Sequence, residues 1–368
     1  MITWHDELPF DFSDPAVSRV FTGTSLFFDI ETTGLSPAST SLYLIGCAAR
    51  RKDLLILDQF FAETPAEEAA IMDAFFALLA QYDTVITFNG DRFDIPYLRA
   101  KCGAHGLADP FAGLQSVDIR QRASRIKSLL NLSGLSQKSV GDFLGLARQD
   151  TCTGGELIFV YEEYTQTRSA DALSLLKLHN YEDVLHMPAL LPVLSFCALP
   201  DGAFHVVSVS GNEYTAMDGS TGHRELFIRL QLKEPLPARI SCNYREFYLT
   251  ACRDTACLRI GLFEGELKFF FPDYADYFYL PEEDTAIHKS VSSYVDKDHR
   301  EKATAATCYT KKYAIFLPQY EKVTEPFFLE NYRDKKSYFE LTCDFTESET
   351  LLKRYLLHVL RLLAGPHR

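Results

Sequence analysis

Four acidic residues in three separate motifs carry the chemistry that this chain offers. They are Asp29 and Glu31 in Leu-Phe-Phe-Asp-Ile-Glu-Thr-Thr-Gly-Leu, Asp94 in Phe-Asn-Gly-Asp-Arg-Phe-Asp-Ile-Pro, and Asp183 in His-Asn-Tyr-Glu-Asp-Val-Leu. Each lies in a run apolar enough to be buried, and a buried carboxylate is costly unless something compensates it. Hard divalent cations such as Mg²⁺ or Mn²⁺ accept carboxylate oxygens, keep waters and take phosphate oxygens as further ligands. Two such ions about 4 Å apart could clamp the attacking and leaving oxygens of an in-line displacement. Metal-assisted phosphoryl chemistry is the expectation that follows.

The spacings support it. Asp29 and Glu31 are two apart on a strand, so both side chains leave the same face. Asp94 follows a strand and opens a helix, where simple helix capping, with Pro96 in the first turn, is the plainer reading. Asn89 and Gly90 would let the backbone turn tightly there. His179 and Asp183 are four apart on a helix and share one face. An imidazole, with an unperturbed pKa of ~6.5, could accept a proton from the attacking water. His186 is a reserve candidate for that base.

The elements that must position these groups are readable from periodicity. Leu26 to Ile30, Leu42 to Ala49 and Leu54 to Phe61 read as three strands joined by short connections, an antiparallel meander. Pro65 opens a helix to about Gln81, with Glu67 and Glu68 in the first turn, where the helix dipole favours acids. A strand from Thr84 to Phe88 leads into a helix from Phe93 to Cys102, and Val117-Asp118 ends another strand. Leu135 to Leu144 is a short helix and Ala170 to Leu191 a long one. Strands alternating with helices outline a mixed α/β sheet flanked by helices. From Phe204 onward, short aromatic and branched runs separated by Asn-, Asp- and Gly-bearing turns describe a β-rich α+β domain, closed by a helix over Glu347 to Leu363. The boundary falls near Leu199-Pro200-Asp201-Gly202, giving domains of 1–198 and 203–368.

Composition sets the outer limits. The chain has 368 residues, 47% hydrophobic and 24% charged, which fits a soluble globular protein of two domains. No N-terminal stretch reads as a signal peptide, and the apolar run Ala170 to Pro200 is interrupted by charges and reads as a buried helix, with no membrane association. Nine scattered cysteines without paired spacing argue against a disulfide framework and suit a reducing cytoplasm. The net charge of −13 weighs against a wide nucleic-acid footprint. A local one remains open: Arg120, Arg122, Arg125, Lys127, Lys138 and Arg148 lie in a stretch with one acid, Asp142, although such a run is as readily a solvated face.

The three motifs, in this order and on these elements, resemble the DEDD exonuclease superfamily of the ribonuclease H-like fold, and more narrowly its YprB-type ribonuclease H-like branch. The resemblance spans roughly residues 20 to 195. It implies that Asp29, Glu31, Asp94 and Asp183 bind two Mg²⁺ or Mn²⁺ ions. It also implies that a phosphodiester of single-stranded DNA or RNA is hydrolysed from the 3′ end to release nucleoside 5′-monophosphates. Thr32, Thr33, Leu35 and Asn89 would then surround the terminal nucleotide, with Lys138 near the substrate. One position departs from the pattern. The branch commonly has Tyr four residues before the last Asp, where this chain has His179. The His-type branch places its histidine five residues before, where this chain has Leu178.

Two other readings stand beside this one: a nucleic-acid-binding protein that keeps the fold without catalysis, and a structural partner protein whose C-terminal half does the work. Residues 203–368 resemble no family; a substrate- or partner-binding role is the expectation. Their most basic stretch runs from Ile287 to Val291 and on through Lys297, His299, Arg300, Lys302, Lys311 and Lys312. It is interleaved with Tyr294, Tyr309 and Tyr313, which could stack on bases, against the plainer reading of solvated lysines on a helix and hairpin.

Overall fold

The computed structural model describes residues 1–147, 154–214 and 222–365. Contacts divide the chain into two compact units: Met1–Lys127, Asn131–Cys197 and Leu236–Ala238 form the first, and Ser128–Leu130, Ala198–Pro235 and Arg239–Arg368 the second.

The first unit is built on six strands: β1 (Ile2–Pro9), β2 (Ser25–Thr32), β3 (Leu42–Arg51), β4 (Leu54–Phe61), β5 (Thr84–Thr87) and β6 (Gln115–Asp118). They form one sheet in the order β1-β4-β3-β2-β5-β6. The meander β2-β3-β4 is antiparallel, whereas β5 runs parallel to both β2 and β6. This is a ribonuclease H-like mixed sheet with flanking helices. The helices are α1 (Pro15–Val20), α2 (Glu68–Leu79), α3 (Asp94–His105), α4 (Ile119–Ser124), α5 (Lys127–Leu130), α6 (Gln137–Leu144), α7 (Gly154–Thr167) and α8 (Ala170–Leu190). Leu26, Phe28 and Ile30 on β2 pack with Phe75 of α2 and Leu98 of α3. Leu44 and Phe61 pack with Tyr161 of α7 and Leu176 of α8. The central strands are thus covered on both faces, which is why they read as unbroken apolar runs.

Two elements depart from the sequence expectation. β1 has no counterpart among the strands expected from the sequence, and it is an edge strand paired antiparallel with β4. Its exposure alternates residue by residue, and Trp4 on the inner side packs against Phe61, with ring centroids 5.8 Å apart. An edge strand buries one face only, so its apolar signal is halved. α7 had no counterpart at all. Its buried face is Leu157, Tyr161 and Tyr164, and both phenols are satisfied, by the Ala62 carbonyl and by Glu63 respectively.

α8 is seated on the sheet by Asn180. Gln59 of β4 donates to the Asn180 Oδ1 at 3.0 Å. A Cβ at Gly46 of β3 would lie 2.1 Å from that same oxygen, so only glycine lets the helix approach. The run Ala170–Asp201, with mean hydropathy 1.4, is long and apolar enough to cross a membrane, and 61% of its apolar window is buried inside the fold. Its interrupting charges therefore do not exclude it on composition, contrary to the sequence reading. Its burial marks it as a core helix.

The second unit is rich in strands. A three-stranded sheet pairs Phe204–Tyr214, His223–Tyr244 and Phe247–Gly261. Another contains Phe263–Phe270, Tyr309–Gln319 and Ser337–Glu340, and a third Thr285–His288, Tyr277–Leu280 and Glu301–Lys302. The strands of the first sheet run to 22 residues, far longer than the short runs read from the sequence. The helix Glu349–Ala364 ends the described chain.

Candidate active site

The sheet opens where β2 leaves β5. β2 stays bonded to β3 along its length, but it pairs with β5 only over Ser25 to Phe27. Beyond Phe27 the backbone of β2 faces a gap, and the first turn of α3 fills it. There the Asp94 Oδ1 accepts the Ile30 N–H at 3.2 Å. This bond sets Asp94 against the residue between Asp29 and Glu31. Asp94 is therefore not the cap of its helix: Phe93 holds the cap position, with no side-chain cap bond. Burial, with repulsion from Asp118 behind it, pushes the Asp94 carboxyl up to about 7, against the bonds from the Asp94 and Ile30 N–H groups.

α8 supplies the other half. His179 Nε2 lies 3.7 Å from Glu31 Oε1 and 3.5 Å from Asp183 Oδ2. One donor atom from each of Glu31, His179 and Asp183 falls within 4.8 Å of the others, a separation that a single ion could span. Leu178, the position that the His-type pattern would use, is 40% exposed, whereas His179 is buried. Four-residue spacing on a helix turns His179 onto the Asp183 face, and five-residue spacing would turn the histidine away. His186 is half-buried further along the same helix, outside this group.

Carboxylate oxygens with one imidazole form a donor set that suits a hard divalent cation. The raised Asp94 carboxyl fits this too, since no lysine or arginine pairs with it among the described residues. Tyr43, on β3 beside the site, has a buried hydroxyl without a hydrogen-bond partner. Its phenol is pushed far above the ordinary tyrosine value by burial and by the charges of Glu31, Tyr161 and Asp29, so it keeps its proton.

The remaining expected residues surround this end of the sheet without meeting at one point. Thr32 donates to the Gly34 carbonyl at 2.8 Å, and the Thr33 hydroxyl accepts the Ser41 N–H at 2.8 Å. Thr40 ties the same loop by bonding the Ser36 carbonyl at 2.6 Å and Tyr97 at 2.9 Å. Leu35, at the tip, is 84% exposed. Asn89 has φ of 74°, and a Cβ at Gly90 would lie 2.5 Å from Thr87, so this turn depends on both residues. Lys138 is exposed on α6, which packs against α8.

Part of the basic stretch is structural. Arg120 donates to Asn89 Oδ1 at 2.5 Å and to the Leu135 carbonyl at 3.0 Å, and Lys127 donates to the Ser133 carbonyl at 3.1 Å. Arg122 and Arg125 are exposed, and Arg148 lies outside the described residues.

Sequence reasoning missed two further carboxylates. Asp118, read only as the end of a strand, caps α4 through Gln121 N–H and also accepts from Asn89 N–H at 3.0 Å and Asp91 N–H at 3.3 Å. It fixes the turn that carries Asn89. Glu68, read only as a first-turn acid, is buried and accepts the Leu42 N–H at 2.7 Å. It pairs with Lys101 at 2.8 Å and His105 at 3.1 Å. Burial opposes its charge, but these bonds hold its carboxyl below the usual range. A polar residue i+3 from a strand end was the available signal for Asp118, in the form of its capping of Gln121.

Residues 26–195 match the RNase_H superfamily. The match covers the meander, the helices on both faces and all four acids. Among solved structures, a family B DNA polymerase from the archaeon Pyrobaculum calidifontis is 15% identical with a TM-score of 0.36, over 48% of this chain and 26% of that one. E. coli Exonuclease I in complex with a dA16 oligonucleotide is 14% identical with a TM-score of 0.30, over 58% of this chain and 56% of that one. Its zinc-bound complex with single-stranded DNA is 15% identical, with a TM-score of 0.31 over 58% and 55%. The chain thus spans about a quarter of the polymerase and about half of the exonuclease. No curated protein matches significantly.

Proposed function

We propose that the protein is a metal-dependent 3′–5′ exonuclease of the YprB-type branch that hydrolyses phosphodiester bonds of single-stranded nucleic acid in the cytoplasm. The observation that carries this is the meeting of Glu31, His179 and Asp183 within 4.8 Å at the point where Asp94 bonds the backbone between Asp29 and Glu31. Asp29, Glu31, Asp94 and Asp183 would hold two Mg²⁺ or Mn²⁺ ions. Such ions, when bound, neutralise phosphate charge and make water more acidic.

The protein's own groups supply the rest. His179 Nε2 would take the proton of the attacking water, and Glu31 and Asp183 on either side would stabilise the imidazolium formed. Thr32 and Thr33 hold the loop that presents Leu35 to the solvent, where its bare side chain can pack against a terminal base. Asn89 would approach the same nucleotide from the turn that Asp118 fixes. Lys138 offers a charge for a backbone phosphate.

The test is cleavage of 5′-labelled single-stranded DNA and RNA with Mn²⁺ or Mg²⁺, against an Asp29→Asn control. A ladder shortening from the 3′ end, absent in the control, supports the proposal and chooses the substrate. Metal binding without cleavage would instead favour a catalytically silent nucleic-acid-binding protein.

A further inference from the structure

The basic stretch from Ile287 to Tyr313 is neutralised in part where it folds. Lys311 pairs with Asp284 at 2.5 Å, Lys312 with Glu340 at 2.5 Å and His299 with Glu282 at 3.1 Å. Tyr309 is buried and donates its hydroxyl to Asp284. Tyr294 and Tyr313 are exposed. The expectation that this stretch stacks on bases therefore loses two of its lysines and one of its three rings.

A different feature of the same unit has the chemistry that was sought there. A cavity of about 610 Å³ is lined by Phe270, Phe271, Tyr274, Tyr320, Phe327 and Tyr332. Its volume is in the range that takes a small organic ligand or a nucleotide. Tyr274 and Tyr332, at 47% and 43% exposed, turn large ring areas to the solvent. Phe270 and Tyr332 are fixed 5.3 Å apart at an interplanar angle of 60°, and Phe271 is backed by Tyr277 in a stack at 4.6 Å. Phe271 is thus held by a ring outside the cavity lining, and Tyr274 and Tyr332 keep exposed ring area.

The charges at its rim point the same way. Lys322 and Lys335 line the cavity, and neither enters an ion pair among the described residues; the Lys322 ammonium lies over the Phe327 ring at 4.3 Å. Two acids share the rim: Asp334 accepts the Asn331 N–H at 2.7 Å, and Glu321 lies 3.7 Å from His358, whose pKa burial lowers. Lysines outside ion pairs next to exposed tyrosine rings are a combination that binds single-stranded nucleic acid, with rings stacking on bases and lysines following phosphates.

We propose that this aromatic cleft is a second nucleic-acid site, which stacks one or two bases of a single strand and holds their phosphates with Lys322 and Lys335. The choice of nucleic acid over an apolar peptide rests on the nuclease reading of the first unit. The site itself rests on the rings and the lysines.

The probe is a 5′-fluorescein-labelled 15-mer of mixed sequence, as DNA and as RNA, titrated with the full chain in EDTA and followed by anisotropy. Tyr274→Ala and Tyr332→Ala should each weaken binding by about tenfold, from the loss of one stacked base. Tyr332→Phe should bind as the parent does, and Lys322→Gln with Lys335→Gln should flatten the salt dependence. Both tyrosines are half in solvent, so equal melting temperatures separate lost contacts from lost folding. Cleavage of a labelled dinucleotide reports the first unit by itself. If the alanine variants bind the 15-mer as tightly as the parent, the cleft is not the site, even where cleavage of the dinucleotide upholds the nuclease. If binding weakens as stated while no substrate is cleaved, the cleft stands and the nuclease reading falls.

Discussion

Two buried acidic clusters in the first unit, on either side of the loop from Thr33 to Ser41, show opposite electrostatics. Around Glu68 the protein supplies its own cations: Lys101 at 2.8 Å and His105 at 3.1 Å, with the Leu42 N–H completing the shell. That carboxyl is held below its usual range. Around Asp94 no lysine or arginine pairs with the buried carboxyl among the described residues, and its pKa rises to about 7. His179 lies between Glu31 and Asp183, 3.7 Å from the one and 3.5 Å from the other. The first cluster is complete without a ligand and reads as architecture. In the second, Asp94 lacks such a cation among the described residues, and Glu31, His179 and Asp183 come within 4.8 Å of one another, which makes it the candidate site.

The largest expected effects come from removing a donor on the incomplete side. Asp29→Asn and Asp183→Asn should each lower cleavage by on the order of a thousandfold, equivalent to about 4 kcal/mol of transition-state stabilisation. Folding should survive, since each change removes charge from an acidic neighbourhood; urea unfolding alongside the cleavage assay checks both halves. Unimpaired cleavage in the two variants would dissolve the distinction between the clusters.

The complete cluster should respond in the opposite manner. Glu68→Ala leaves Lys101 buried without its partner and should cost about 3–5 kcal/mol of stability. Cleavage per folded molecule should be unchanged. A midpoint shift in urea with an unaltered slope would fit a pure stability effect. A variant as stable as the parent would mean that Glu68 is not structural.

Much of this contrast was legible beforehand, though not evenly. The acids stood out because their strands and helix are covered on both sides, so a polar residue interrupts an otherwise apolar run. The four-residue step from His179 to Asp183 needed only helical geometry, and the buried His179 beside the 40% exposed Leu178 bears out that face assignment. Residues whose role depends on long-range contacts were invisible. Glu68 looked like a dipole-favoured acid because Lys101 and His105 lie 33 and 37 residues away in sequence. Asp118 looked like a strand end because Asn89 and Asp91 reach it from 29 and 27 residues away. The same limit applied in the second unit, where charge was read along the chain: Lys311 and Lys312 look basic in sequence, but each meets an acid from another strand or turn. The aromatic cleft collects rings from residues 270 to 332, a grouping that no local pattern announces.

The pH response can sharpen the comparison. A carboxyl whose folded pKa is raised prefers to keep its proton, so Asp94 adds stability at pH values below its unfolded pKa of ~3.9 and loses that contribution as pH climbs through about 7. In EDTA the protein should therefore be less stable at pH 8 than at pH 5, because the part of this contribution between pH 5 and about 7 is lost, about 3 kcal/mol at most. Mn²⁺ should raise the melting temperature more at pH 8, where it replaces no proton, than at pH 5.5. Asp94→Asn should flatten the EDTA profile and reduce the Mn²⁺ effect. An EDTA profile with the same pH slope in parent and variant would show that Asp94 is compensated from within the protein.

The smallest effect concerns one turn of α8. His179→Ala should slow cleavage by about a hundredfold, the lower end of what a positioned base contributes, while Leu178→Ala leaves the rate unchanged. His179→Tyr restores the residue of the Tyr-type pattern at the spacing this chain uses. It should recover part of the rate with its pH dependence moved toward the higher pKa of a phenol. Recovery by tyrosine at 179 and indifference at 178 would together mean that helical register, rather than the choice of base, fixes the proton acceptor. The imidazole lies 3.7 Å from Glu31 and 3.5 Å from Asp183, a placement that register alone provides. Loss of rate at 178 equal to that at 179 would break this argument, because an exposed leucine has no route to the acids.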